Sequence, residues 1–247
     1  MKQTRLLMGM PITVEIIDPA ADANIFESIY DYFTHIDEMF STYKTTSEIS
    51  AINNSDKPRD EWSEEMNMIF LLAEETKQAT DGYFDIKKPD GGYDPSGIVK
   101  GWAIWNAAKL LEKRRFKNFY VDAGGDIQPQ GHDGNGKKWS VGIKNPWNTN
   151  ENVKVVYVTG EGVATSGTYI RGEHIYNPKT GEAANAIMSL TVIGPNIYEA
   201  DRFATAAFAM DKNAIHFIES LPGFEGYMID NDEIATMTTG FEKYIQR

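Results

Sequence analysis

The sequence predicts an α+β fold: a single compact domain of two lobes over residues 1–247, in which mixed or antiparallel sheets carry flanking helices. Three observations point there. Helical periodicity clusters early, β-type alternation dominates the middle, and the two never settle into the regular strand-helix-strand order of a doubly wound sheet. With 41% hydrophobic and 12% aromatic residues, 247 residues suffice to bury one sizeable core.

The elements follow in order. Residues 8–17 alternate and are rich in Ile, Val and Thr, which reads as a strand. Residues 24–40 then place Ile25, Ile29, Phe33, Ile36 and Phe40 at helical spacing. A second helix is expected over 63–80, opened by Ser63 as N-cap and stopped at Asp81-Gly82, and a third over 96–113. Strands are expected at 119–122, 139–143, 153–159 and 187–193. Helices at 198–210 and 214–221 precede two short strands, 226–229 and 233–237. The polar stretches 53–61 and 131–138 read as surface loops.

Composition narrows the function classes. A formal charge of -12 opposes attraction to nucleic acid or anionic lipid, both of which need basic patches. A small ligand, with a divalent cation bridging two sets of negative charges, fits better. The absence of cysteine excludes disulfides, thiolate zinc sites and iron-sulfur clusters. No run approaches the roughly 20 apolar residues of a membrane span, and the N-terminus lacks an apolar stretch of signal-peptide length, so the cytoplasm is the expected compartment.

The densest chemistry lies in residues 164–181. There Thr165, Ser166 and neighbouring glycines can bring hydroxyls and amides to phosphate oxygens, and His174 can move a proton near neutral pH. Asp94-Pro95-Ser96-Gly97-Ile98-Val99-Lys100-Gly101 opens a helix whose free amides favour an anion, with Lys100 as a point charge for a second phosphate. The same residues also make an ordinary capped helix with a solvated lysine. Asp201 and Thr205, four apart, share one helix face and offer hard oxygens suited to Mg2+, although an aspartate near a helix start also simply favours the dipole. The Gly124-Gly125 pair between Asp122 and Asp126 lacks dinucleotide-fold spacing and reads better as a tight turn than as a phosphate cradle. Tyr43 and Tyr83-Phe84, each just after a helix, suit either ring stacking or the core.

Taken in order, these pieces resemble the FAD:protein FMN transferase (ApbE) family over nearly the whole chain. The series runs from Met8-Gly9-Met10 through Phe40-Ser41-Thr42-Tyr43 with Ser47-Glu48-Ile49-Ser50-Ala51-Ile52-Asn53, and Gly82-Tyr83-Phe84-Asp85, to Gly97-Ile98-Val99-Lys100-Gly101. It continues through Gly124-Gly125-Asp126, Thr165-Ser166-Gly167, His174-Ile175-Tyr176-Asn177-Pro178-Lys179-Thr180-Gly181 and Ala200-Asp201 to Thr205-Ala206. The resemblance implies an ApbE-like, T-fold-like architecture. It also implies FAD bound with Mg2+, transfer of the FMN moiety to a Thr or Ser hydroxyl of an acceptor flavoprotein, and release of AMP. On that pattern Met8, Tyr43, Tyr83, Phe84, Asp85, Asp94, Lys100 and Ile175 contact FAD, Asp201, Thr205 and the Gly97 carbonyl hold the metal, and His174 is the base for the incoming hydroxyl. The sequence departs from the family at Asn177, where an aspartate usually precedes Pro-Lys/Arg-Thr-Gly. Two alternatives stay open: a Mg2+-dependent FAD pyrophosphatase, with water as acceptor, and a non-catalytic FAD-binding carrier.

Overall fold

A hairpin opens the chain. Strands β1 (Lys2–Leu7) and β2 (Met10–Ile16) are joined by a turn in which Met8 and Gly9 both take positive φ. The computed structural model describes residues 1–168 and 175–246. Helix α1 (Ala23–Phe40) is capped by Asp22, which accepts the Ile25 N–H, and it buries the apolar stripe that its spacing predicts. A short α2 (Glu48–Asn53) and the longer α3 (Glu64–Ala79) start on Ser47 and Ser63, whose hydroxyls each take a first-turn N–H. Helix α4 (Ser96–Lys113) follows, without a side-chain cap.

The remaining elements are β3 (Phe119–Ala123), β4 (Asp126–Gln130), β5 (Trp139–Lys144), β6 (Asn152–Val158), β7 (Gly162–Gly167) and β8 (Ile187–Gly194). Helices α5 (Ile197–Phe208) and α6 (Ala214–Ser220) and strands β9 (Glu225–Asp230) and β10 (Ala235–Met237) complete the described order. Among the described residues eight strands form one sheet, β1-β2-β3-β4-β7-β8-β9-β10, while β5 and β6 pair separately. Every pairing of named strands is antiparallel, so of the mixed or antiparallel sheets expected, the antiparallel form is the one found.

Helices α1, α4 and α5 pack with the sheet over the main apolar cluster, and a smaller cluster sits around Trp139, Val156 and Phe241. The predicted helices and strands appear close to their expected bounds, with differences at the ends that reflect fraying. Of the described strands and α-helices, sequence reasoning missed β1, α2, β4 and β7. β1 is an edge strand with no fully buried residue, so it has no apolar alternation to read. β4 (DIQPQ) is polar and contains a proline, yet it is almost wholly buried. Its burial is possible because Gln128 is satisfied by tertiary partners: its amide donates to Gly160 O at 2.7 Å and its oxygen accepts Ile197 N at 2.8 Å. That second bond fixes the start of α5 on the sheet.

Candidate active site

Two close helix approaches build the floor of the site. Gly101 of α4 lies so near α5 that a Cβ there would sit 2.6 Å from Asp201 Cβ and 2.8 Å from Ile197 O. A Cβ on Gly97 would meet Thr205 Cγ2 at 3.0 Å and the Phe84 ring at 3.2 Å. At Gly101 only glycine allows so close an approach, at Gly97 the fit is merely tight, and the two contacts bring the first turn of α4 against the face of α5 that carries Asp201 and Thr205. Above this floor opens a cavity of about 610 Å3.

The electrostatics centre on two buried carboxylates that share Lys100. Lys100 Nζ lies 2.6 Å from Asp126 Oδ2 and 3.5 Å from Asp201 Oδ1. Asp201 Oδ2 accepts the Gly101 N–H at 2.7 Å, and Asp126 Oδ1 accepts the Thr165 N–H at 2.9 Å. Both aspartates are only 2% exposed. Burial pushes the Asp201 carboxyl well above its usual range, with Lys100 opposing and Asp126 adding to the rise. A cation beside this pair relieves the same penalty. The Asp201 carboxylate and Thr205 hydroxyl, both on the cavity wall, and the Gly97 carbonyl are hard oxygen donors that fit Mg2+. Among the described residues no group of three or more His, Asp or Glu side chains forms a metal cage, so an ion here would complete its shell with water or ligand oxygens.

The side wall follows the end of α3, where Asp81 and Gly82 take positive φ and reverse the chain. Phe84 is buried, and Tyr83 lies half-buried beneath Lys179 Nζ, 4.1 Å from the ring centroid. Asp85 is held by Lys77 Nζ at 2.6 Å and by the Lys87 N–H at 2.8 Å, and Asp94 accepts the Ser96 N–H at 3.0 Å. The cavity is also lined by Gly9 and Met10 of the first hairpin, by Gly124, and by Thr165 and Ser166 of β7. The Thr165 hydroxyl also bonds that of Thr191 at 2.9 Å.

Tyr83, Phe84, Asp85, Asp94, Gly97, Lys100, Thr165, Ser166, Ile175, Asp201 and Thr205 all line this one cavity. Two expected flavin contacts do not: Met8 occupies the hairpin turn next to the lining Gly9 and Met10, and Tyr43 is 97% exposed in the loop after α1. His174 lies outside the described residues. Lys100, read as a point charge for phosphate, is seated between Asp126 and Asp201 while still reaching the cavity. Gly124 and Gly125 form the tight turn expected, both at positive φ. Asp126, Met10, Tyr176 and Lys88 were not singled out for roles; the one local signal for Asp126 was its place beside the glycine pair.

Asn177 makes a turn. Its side-chain oxygen accepts the Lys179 N–H at 2.9 Å and its carbonyl accepts Gly181 N at 2.8 Å. An aspartate oxygen makes the first bond equally well, so asparagine preserves the turn and alters only its charge.

A buried acidic floor, a helix N-terminus and an aromatic side wall meet at this cavity, an arrangement chemically able to receive phosphate oxygens and to pack against a planar ring. The sequence model of the ApbE family matches residues 8–90 and 87–228, and the chain belongs to the ApbE family. It is 30% identical over 151 residues to a FAD:protein FMN transferase of Klebsiella pneumoniae (strain 342), covering 57% of this chain and 43% of that protein. With the FAD:protein FMN transferase of Escherichia coli (strain K12) it shares 29% identity over 181 residues, 68% of this chain and 52% of the relative. The chain thus spans about half the length of these curated relatives. The fold is similar to the crystal structure of the ApbE protein of Thermotoga maritima MSB8, with a TM-score of 0.87 at 22% identity over 100% of this chain and 99% of that one. It is likewise similar to the flavin transferase ApbE of Vibrio cholerae, with a TM-score of 0.85 at 21% identity over 99% and 98%.

Proposed function

We propose that residues 1–247 act as one Mg2+-dependent FAD:protein FMN transferase domain, which moves the FMN moiety of FAD onto a Thr or Ser hydroxyl of an acceptor flavoprotein and releases AMP. One observation carries this reading: positions scattered from 83 to 205, on α4, α5, β7 and the loops between them, converge on a single cavity in a chain of the ApbE family.

In this reading Tyr83, Phe84 and Ile175 provide ring and apolar contact to the flavin. Thr165, Ser166, Lys100 and the first turn of α4 face the pyrophosphate, while Asp85 and Asp94 take polar groups of the ligand. Asp201, Thr205 and the Gly97 carbonyl hold Mg2+, which when bound neutralises pyrophosphate charge. The acceptor oxygen forms a bond to the FMN-side phosphorus. The bond from that phosphorus to the bridging oxygen breaks, and AMP leaves with that oxygen. His174 takes the hydroxyl proton as general base, the proton transfer for which an imidazole is suited. The Lys100 ammonium keeps Asp126 and Asp201 from repelling the ligand's phosphates at full strength.

Incubation with FAD and Mg2+, with and without an acceptor flavoprotein expressed free of flavin, tests the proposal. AMP release that depends on the acceptor is the expected result. AMP and free FMN at full rate without acceptor would establish the pyrophosphatase instead.

A further inference from the structure

A second cleft, of about 590 Å3, lies between the β3–β4 hairpin and the β5–β6 sheet. We propose that it seats the extended Ser- or Thr-bearing segment of the acceptor protein, an assignment that rests on the transferase reading above.

Continuity with the first cavity is the leading argument. Gly124 and Thr165 line both spaces, so the Gly124-Gly125 turn and β7 are the partition between them. Asp126 sits in this partition, with one carboxylate oxygen on Lys100 and the other on the Thr165 N–H. The crest of the turn carries no side chain, and a Cβ built on Gly125 meets nothing within 4 Å. A segment lying in the second cleft can therefore cross to the first at the Gly125 crest, where the turn itself raises no side chain. The reaction needs this arrangement, because the acceptor hydroxyl has to meet phosphorus inside the first cavity while the folded body of its protein stays outside.

The strand beside the cleft suits an extended chain. Among the described residues β5 pairs only with β6, and its consecutive residues 139–142 all line the cleft. Successive side chains alternate between faces, so an unbroken run of lining residues presents main chain as well as side chains. A peptide can add there through backbone hydrogen bonds, with alternate side chains sampling the cleft. On the other side the main sheet opens toward the turn. β4 and β7 pair only at Ile127 and Val163, beyond which the Asp126 side chain takes the Thr165 N–H.

The lining chemistry separates a peptide from a second part of FAD. Asp122, Ser140, Lys144 and Asn152 give mixed, dispersed polarity, as a polypeptide main chain requires. The aromatic residues present, Tyr120 and Trp139, pack edge to face on one another with centroids 5.1 Å apart, which commits them to the smaller core rather than to stacking on a ring.

Ser140→Trp and Lys144→Glu, both at exposed positions outside the first cavity, test the assignment in the full chain with FAD, Mg2+ and flavin-free acceptor. Each is expected to raise KM for the acceptor about tenfold, the equivalent of one good contact, while KM for FAD and FAD binding stay within about twofold. Wild-type transfer with variants that keep the wild-type acceptor KM, or that raise KM for FAD instead, would overturn the cleft assignment alone. A wild-type chain that leaves the acceptor unmodified would overturn the transferase reading, and the cleft assignment with it.

Discussion

The α4–α5 floor and the 175–181 segment both contribute to the lining of one cavity, and they do so by opposite means. The floor is buried, held by glycine-mediated helix contact and by carboxylates that share a lysine inside the core. The 175–181 segment is a surface turn, held by Asn177, by the bridge from Ala184 N to Ile175 O, and by exposed Lys179 reaching Asp81 at 2.7 Å. Buried charges in fixed geometry are costly to rearrange, whereas exposed pairs contribute little. The floor is therefore the preorganised half, where charge is bound, and the turn is the adjustable half.

Breaking the floor has the largest expected effect. Asp201→Ala is expected to reduce Mg2+-dependent turnover by on the order of 100-fold while circular dichroism shows the fold retained, since the proposed function makes the lost carboxylate a metal ligand. Unchanged turnover would remove Asp201 from the metal site. Next in size, Gly101→Ala inserts a methyl where Asp201 Cβ and Ile197 O leave no room. Urea melts should show a loss of about 1–3 kcal/mol, as overpacking typically gives.

The partition offers a sharper, pH-dependent test. Burial, with Asp126 adding and the Gly125 N–H opposing, pushes the Asp122 carboxyl up to about 6 from 3.8. Folding thus disfavours its ionised form. The penalty is absent below about pH 4, grows as pH rises through the interval, and is complete above about pH 6. Asp122→Asn should stabilise the protein at pH 8 by ~1–3 kcal/mol and leave it unchanged at pH 4, read from paired melts. A gain of equal size at both pH values would contradict the assignment. The smallest effect is expected in the turn. Lys179→Met should change stability by less than ~0.5 kcal/mol, as for exposed pairs generally, and weaken FAD binding about threefold through the lost contact over Tyr83. A loss as large as that of Asp201→Ala would erase the contrast between the two halves.

The same contrast governs what the sequence made legible. The α1 stripe and the Asp201–Thr205 face are readable because helical spacing alone places them. β4 was not, because its polar residues are buried only through long-range bonds from Gln128 to Gly160 and Ile197. Asp126 gained its place through Lys100, and no local pattern encodes that pairing. Tyr43 shows the reverse: an ordered motif points to the flavin, yet the side chain is exposed and is not among the residues that line the cavity. Residue order along the chain carried the family, and packing decided which residues of each motif line the cavity.

The most direct measurement is the intact mass of the acceptor after incubation with FAD, Mg2+ and the wild-type chain. The account predicts one FMN moiety added to a Thr or Ser of the acceptor, with AMP formed in equal amount. An unmodified acceptor beside free FMN and AMP, or beside intact protein-bound FAD, would contradict it.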